Sequence, residues 1–417
     1  MTKPTTLDSG IASRRETIFL LSRWLETYDF PNRMLTAAAD RGFIMDLLYG
    51  CVRWRRALAW VLQQRVRQMP EGEAEAALLV GAYQVLYMPE IPAYAAVHAT
   101  VAAAKIGSPR AAGFINAVLR NLERQRSELL AALAQQPLGV RLSHPDLLVT
   151  RWIARYGAET TAALCHWNNT PAETVIALLP NQETAMPPPA LVPHPAAPAV
   201  CFTVPHGTRV EAVPGFAEGR FVVQDPATQA AIELLDIHPG QTVLDACAAP
   251  GGKTAQIAAR MQGQGRLIAM DKHDDRLVLL RDTLSRTGQS WVEVVAGDAV
   301  APAPTEAPLF DRILLDVPCS NTGVLRRRPD ARWRFSVRRQ QKLCETQQAL
   351  LISMLTRLAP GGRLVYSTCS LEPEENQQQI ARALAATPAV RLVATTERLP
   401  TRDQTDGAFA AALERTP

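Results

Sequence analysis

Residues 15–28, RETIFLLSRWLETY, place Ile18, Leu21, Trp24 and Leu25 on one face of a helix. RGFIMDLLYGCVRWRRALAWVLQQRV, residues 41–66, repeats the pattern with arginines between the apolar positions. EAEAALLVGAYQVLYM and AAVHATVAAAKIG are alanine-rich helices, and RAAGFINAVLRNLERQRSELLAAL is one more with a basic polar face. Strand signals are few here and no fixed repeat occurs, so the expectation is an all-α bundle. It fills a domain of residues 1–138.

Residues 139–235 read as a connecting segment of mixed type. SHPDLLVTRWIARYG is a helix with Ser143 and Asp146 as alternative starts, and ETVIALLP has strand composition. AMPPPALVPHPAAPAV, Ala185 to Val200, is a loop, because proline removes backbone donors from helix and sheet alike. GRFVVQDPATQAAIELLDI reads as a short strand, a turn at Asp225-Pro226 and a helix.

From residue 236 to 417 the rhythm is strand, turn, helix. QTVLDACAAPGGKTAQIAARM, GRLIAMDKHDDRLVLLRDTLSRTG, SWVEVVAGDA, FDRILLDVPC with the helix ETQQALLISMLTRLA, and PGGRLVYSTC supply five strands in turn. Strands alternating with helices predict a mainly parallel, doubly wound α/β sheet of Rossmann-like type. Ligands of such sheets sit beyond the carboxyl ends of the strands, so the residues that end each strand carry the chemistry.

The first strand runs into DACAAPGGKT, Asp245 to Thr254, where Gly251 and Gly252 let a ligand approach the backbone. The spacing is neither GxGxxG nor the GxxxxGK[ST] phosphate loop, which argues against a dinucleotide or ATP. The second strand ends at Asp271, where an acidic residue suits ribose hydroxyls. The third ends at GDA, where Asp298 suits an adenine amino group. An adenosine-bearing ligand without a phosphate loop points to S-adenosylmethionine.

The fourth and fifth strands end at Asp316-Val317-Pro318-Cys319 and Ser367-Thr368-Cys369. Cys51, Cys165, Cys201, Cys247 and Cys344 read as ordinary small apolar residues. Two thiols at neighbouring strand ends suit methyl transfer to a carbon that has no lone pair. A thiolate adding at C6 of a pyrimidine turns C5 into a carbon nucleophile. Protonated Asp316 is placed to act as the acid near N3, and the second thiol assists release. A helix start directly after Cys369 is expected to lower its pKa.

Composition narrows the class. Apolar residues make up 47% and charged residues 20%, which fits a folded soluble chain, and the net charge of +4 favours no partner by itself. Seven scattered cysteines without a CxxC pair support neither a zinc ribbon nor a disulfide framework, so no metal is expected and a reduced, cytoplasmic compartment is. MTKPTTLDSGIASRRE has no apolar signal core, and no apolar run approaches the ~18 residues that span a bilayer. No heptad seam is visible, which favours a monomer.

Together, DACAAPGGKT, DVPCSNTGVLRRRPD and YSTCSLEPEEN resemble the motifs of RNA cytosine-C5 methyltransferases of the Sun/Fmu type. GFINAVLRNLER, EIPAYAAVHATV and RGFIMDLLYGCVRWRR are similar to the NusB-like, RNA-binding helical domain of the bacterial small-subunit ribosomal RNA enzyme, and VVQDPATQAA and PTRDQTDGAFAAALER fit as well. The resemblance implies that Cys369 is the nucleophile and Cys319 the helper in release. It also implies that Cys247, Ala248, Ala249, Pro250, Gly251, Gly252, Lys253, Asp271, Asp298 and Asp316 contact the cofactor, with Lys253 acting in the site. Two positions depart from the family. ETVIALLPN lacks the arginine of an LRVN-like strand, at one RNA contact, and Ala408 and Ala410 replace common aromatics, which predicts looser packing of the C-terminal segment.

LRRRPDARWRFSVRRQQK, Leu325 to Lys342, is the densest basic stretch, and Arg326, Arg327, Arg328, Arg332 and Trp333 are expected to bind phosphates and stack on unpaired bases of ribosomal RNA. Arg53, Arg55 and Arg56 form a smaller cluster. A transfer-RNA methyltransferase would share the catalytic motifs, whereas a non-catalytic RNA-binding or assembly factor would tolerate loss of either cysteine.

Overall fold

The computed structural model describes residues 9–28, 40–180, 191–301 and 308–417. Two compact units divide the chain: Met1–Thr170 with Leu325–Phe335, and Pro171–Val324 with Ser336–Pro417. The expected connecting segment is thus shared between them, with residues up to Thr170 in the first unit and those from Pro171 in the second.

In the first unit, α1 (Ser9–Thr27), α2 (Arg41–Gln63), α3 (Glu73–Tyr87), α4 (Ala93–Gly107), α5 (Ala112–Arg124) and α6 (Arg126–Ala134) precede α7 (Asp146–Tyr156) and α8 (Ala158–Asn169). Ile18, Leu21 and Trp24 of α1 are fully buried, as their spacing predicts. The alanine-rich α3 packs against α1, α2, α4 and α5, and small side chains let it be buried on most of its surface. The single helix expected over residues 110–133 breaks at Gln125, whose backbone leaves the helical region. Of the two starts considered for α7, the structure takes Asp146, after Pro145.

The second unit opens with β1 (Thr174–Leu178), β2 (Val192–Pro193), β3 (Cys201–Val204) and β4 (Phe221–Val223), an antiparallel sheet of order β2-β3-β1-β4. The proline-rich stretch begins outside the described residues, and its described part carries β2. Helix α9 (Gln229–Leu235) leads into the catalytic sheet. That sheet alternates β5 (Thr242–Asp245), α10 (Gly252–Met261), β6 (Arg266–Asp271), α11 (Asp274–Arg286), β7 (Glu293–Ala296), β8 (Phe310–Asp316), α12 (Val337–Thr356), β9 (Leu358–Thr368), α13 (Gln377–Ala386), β10 (Val390–Arg398) and β11 (Ala408–Arg415).

Among the described residues its order is β10-β11-β9-β8-β5-β6-β7. The five strands from β9 to β7 are parallel, and β11 and β10 add antiparallel pairings at one side. Neighbouring residues along a strand face opposite sides. Val243, Leu314 and Val365 therefore join one core with α10 and α11, while Leu244, Leu315 and Tyr366 join another with α12 and α13. Both faces are covered, as the continuous apolar strands predict. The C-terminal segment is not loose: β11 lies between β9 and β10, and Phe409 and Ala410 to Leu413 are buried. Alanine suits a strand hemmed in on both faces. Among the described residues no helix is long and apolar enough to cross a membrane.

Candidate active site

Parallel pairing brings the carboxyl ends of β7, β6, β5, β8 and β9 to one edge of the sheet. The strand-end residues singled out in the sequence are gathered there. β8 and β9 are hydrogen-bonded neighbours, with Asp316 opposite Ser367. The loops that follow them place Cys319 Sγ and Cys369 Sγ 3.2 Å apart, and both thiols are free and half-buried. The Cys369 thiol also donates to Asn321 Oδ1 at 3.3 Å. Asn321 sits at φ 62°, a conformation asparagine tolerates better than most residues, and its amide donates to Cys319 O at 2.9 Å.

The backbone behind Cys369 is equally fixed. Gly323 N donates to Cys369 O at 2.9 Å, and Gly407 N donates to Gly323 O at 2.8 Å. A Cβ on Gly323 would stand 2.5 Å from Gly407 O and 2.8 Å from Cys369 O, so only glycine fits. The hydrogen bond to Cys369 and burial push the Cys319 thiol well above its ordinary pKa, and the charges of Cys369 and Glu375 add to this.

Lys253, on the first turn of α10, donates to Asp316 Oδ2 at 2.7 Å, and Ser367 Oγ donates to Asp316 Oδ1 at 2.7 Å. Burial disfavours the Lys253 charge, but Asp316 outweighs it, with help from Asp245 and Cys369, and raises the ammonium above its ordinary value. The contact therefore favours the charged ammonium of Lys253.

The carboxylates expected to hold a nucleoside, Asp271 and Asp298, stand at the end of β6 and just past β7. Buried Asp271 accepts from Ala249 N at 3.2 Å and His273 N at 3.1 Å, and Arg276 Nη1 lies 3.4 Å away. These bonds tie the loop Cys247–Gly251 to β6, and each carboxylate oxygen keeps a lone pair for a ligand hydroxyl. Asp298 is more exposed and pairs with Lys272 at 2.7 Å. Gly251, at φ 103°, turns the chain into α10, whose N-terminus opens at Gly252. A glycine turn, a buried acceptor and a second, exposed acceptor on neighbouring strands fit an adenosine group. Among the described residues no group of three or more His, Cys, Asp or Glu side chains could hold a metal ion.

Three expectations change. The helix after Cys369 begins only at Gln377, and not directly after the cysteine. Arg332 is fully buried in the first unit and donates to Ser143 O, Asn169 Oδ1, Asn168 O and Arg53 O at 2.8–3.3 Å, so it is an internal tie and not an RNA contact. Trp333 likewise donates to Val52 O at 2.7 Å and packs on the helical core. Arg326 lies over the Trp167 ring, and Arg328 is 3.4 Å from Asp330. Arg56 forms a bidentate pair with Asp146, and Arg53 donates to Arg326 O. Sequence reading missed Ser320, Ser370 and Glu375, which pack around the cysteine loops; the signal available was the polar run after Cys369.

Fold and site together define an S-adenosylmethionine-dependent methyltransferase. The description of the family "16S rRNA methyltransferase RsmB/F" matches residues 232–414, and that of the NusB family matches residues 12–124. Ribosomal RNA small subunit methyltransferase B of Pseudomonas putida is 37% identical over 368 residues, covering 84% of this chain and 83% of that protein. The protein of the same name from Vibrio cholerae is 36% identical over 396 residues, covering 90% of each. A solved methyltransferase homolog protein from Pyrococcus horikoshii matches with a TM-score of 0.58 at 26% identity, covering 67% of this chain and 97% of that one. The chain belongs to the RsmB/F family of 16S rRNA methyltransferases.

Proposed function

We propose that this enzyme methylates C5 of a cytosine in small-subunit ribosomal RNA, with Cys369 as the covalent nucleophile and Cys319 as the group that assists release. The observation that carries this is the 3.2 Å spacing of two free thiols at neighbouring strand ends. Methyl transfer to nitrogen or oxygen needs no sulfur, whereas carbon C5 becomes nucleophilic only after addition at C6.

S-adenosylmethionine supplies an electrophilic methyl group when bound, and the Cys247–Gly252 turn, Asp271 and Asp298 are the residues that would hold it. Cys369 gives up its proton to solvent and its sulfur bonds to C6. The ammonium of Lys253, held by Asp316, faces the negative charge that this addition places on the ring. C5 then acquires the methyl group. Its proton must leave before the sulfur–C6 bond can break. Cys319 is held protonated while Cys369 shares a hydrogen bond with it. Once Cys369 is bonded to carbon that hydrogen bond is gone; Cys319 then passes its own proton to solvent, and the resulting thiolate takes the C5 proton.

Methyl incorporation into small-subunit RNA from cells lacking this protein tests the reading. Cys369→Ala should abolish incorporation, and undiminished incorporation would remove the claim. Cys319→Ala should accumulate a denaturant-resistant protein–RNA adduct; an adduct in Cys369→Ala instead would exchange the two roles.

A further inference from the structure

Glu375 is fully buried, and its carboxylate reaches both cysteine loops. Oε2 accepts from Ser320 N at 2.8 Å, and Oε1 accepts from Ser370 Oγ at 2.9 Å. These are the residues that follow Cys319 and Cys369. Gln347 completes the bracket: its Nε2 donates to Glu375 Oε2 at 3.0 Å and to Pro318 O at 2.9 Å. The peptide units on both sides of Cys319 are thus held by one carboxylate–amide pair. On the other loop, Ser370 Oγ accepts from Glu372 N at 3.0 Å and stands 3.0 Å from Ser320 Oγ. Tyr366 on β9 fixes Glu375 itself by donating to its carbonyl at 2.7 Å.

A neutral side chain with one carbonyl could cap such a turn. A buried carboxylate is a costly choice, since among the described residues no lysine or arginine pairs with it and only neutral donors replace its water. Two equivalent acceptor oxygens are what the site uses, one for each loop. A side chain with one oxygen and one NH2 cannot accept from both.

We propose that Glu375 is the positioning residue that sets the distance between the two sulfurs, by bridging the residues that follow them. The inference rests on the two-sulfur reading above. Its negative charge also adds to the effects that push the Cys319 thiol up.

The test reads sulfur geometry directly. Full-length protein without RNA is treated with a diazenedicarboxamide oxidant, which takes two thiol hydrogens and leaves a disulfide. The Cys319–Cys369 cross-link is followed by peptide mass spectrometry. Glu375→Gln should slow it about tenfold or more, and Ser370→Ala, which removes one arm and is the milder change, several-fold. kcat should fall in both, with KM for RNA unchanged. Wild-type cross-linking rates in folded variants would overturn the proposal, and if Glu375→Gln fails to fold, Ser370→Ala decides. Slowed cross-linking with undiminished methyl transfer would uphold the spacing role and overturn the two-sulfur mechanism instead.

Discussion

Lys253 Nζ lies 2.7 Å from Asp316 Oδ2, joining the first turn of α10 to the end of β8 beside the two cysteines. The pair stores a proton on the lysine where charge would develop on the ring. Lys253→Met should lower single-turnover methyl transfer by about 100-fold, the lower end of what a placed acid contributes. RNA affinity should change little. Equal losses in binding and turnover would place Lys253 in RNA binding.

Gly323→Ala tests the backbone contact behind Cys369. Its Cβ would meet two carbonyl oxygens that have no slack, Gly407 O and Cys369 O. The cost should be about 1–3 kcal/mol, seen as a lower thermal midpoint. Methyl transfer should fall by more than the loss of folded protein, because relief of the clash moves Cys369. Full activity at an unchanged midpoint would refute the contact.

Asp245 makes the stability of the cofactor-free protein depend on pH. Burial raises its pKa to about 7, against the favourable bond from Thr254 Oγ1 at 2.7 Å. The carboxyl is neutral in both folded and unfolded chains below about pH 4. As pH rises towards 7 the unfolded chain ionises freely and the folded one does not, so stability falls through that window and levels off above it. The loss is on the order of 4 kcal/mol. Asp245→Asn should flatten this part of the melting-temperature profile; parallel profiles would show that Asp245 is not its source.

Arg332→Met should destabilise the first unit by about 3–5 kcal/mol, since it strips a buried cation from four acceptors. Burial already lowers the Arg332 pKa to about 9, and Arg332→Lys should not restore the loss because one ammonium cannot span the acceptors. Calorimetry measures the shift. At a temperature where the variant stays folded, the salt dependence of RNA affinity should be unchanged; a slope reduced by about one would return Arg332 to the RNA surface.

The catalytic edge was legible because apolar runs end abruptly in chemistry: Leu314-Leu315-Asp316 and Tyr366-Ser367-Thr368-Cys369 announce where each strand stops. Their adjacency follows from the order of β8 and β9 in a doubly wound sheet. The fate of Arg332 was not legible, because a run of arginines reads as surface and its acceptors come from residues 143, 168 and 169. β11 was hidden by its alanines, which are weak strand formers and take that form only between β9 and β10. The delayed start of α13 was hidden too. Ser370 and Asn376 look like helix caps, yet they bond within the turn, Thr368 Oγ1 to Asn376 Oδ1 at 2.6 Å and Asn376 Nδ2 to Ser370 O at 2.8 Å.

Leu325–Phe335 is coded inside the catalytic half of the chain and folded as part of the helical half. The two halves are therefore not separable cassettes. A fragment ending at Thr170 would lack the guanidinium that Ser143, Asn168 and Asn169 receive, and a fragment beginning at Pro171 would carry Trp333 and Arg332 with no interior to enter. Recombination that exchanged one half alone would inherit a lock without its key, so the halves have to be inherited together.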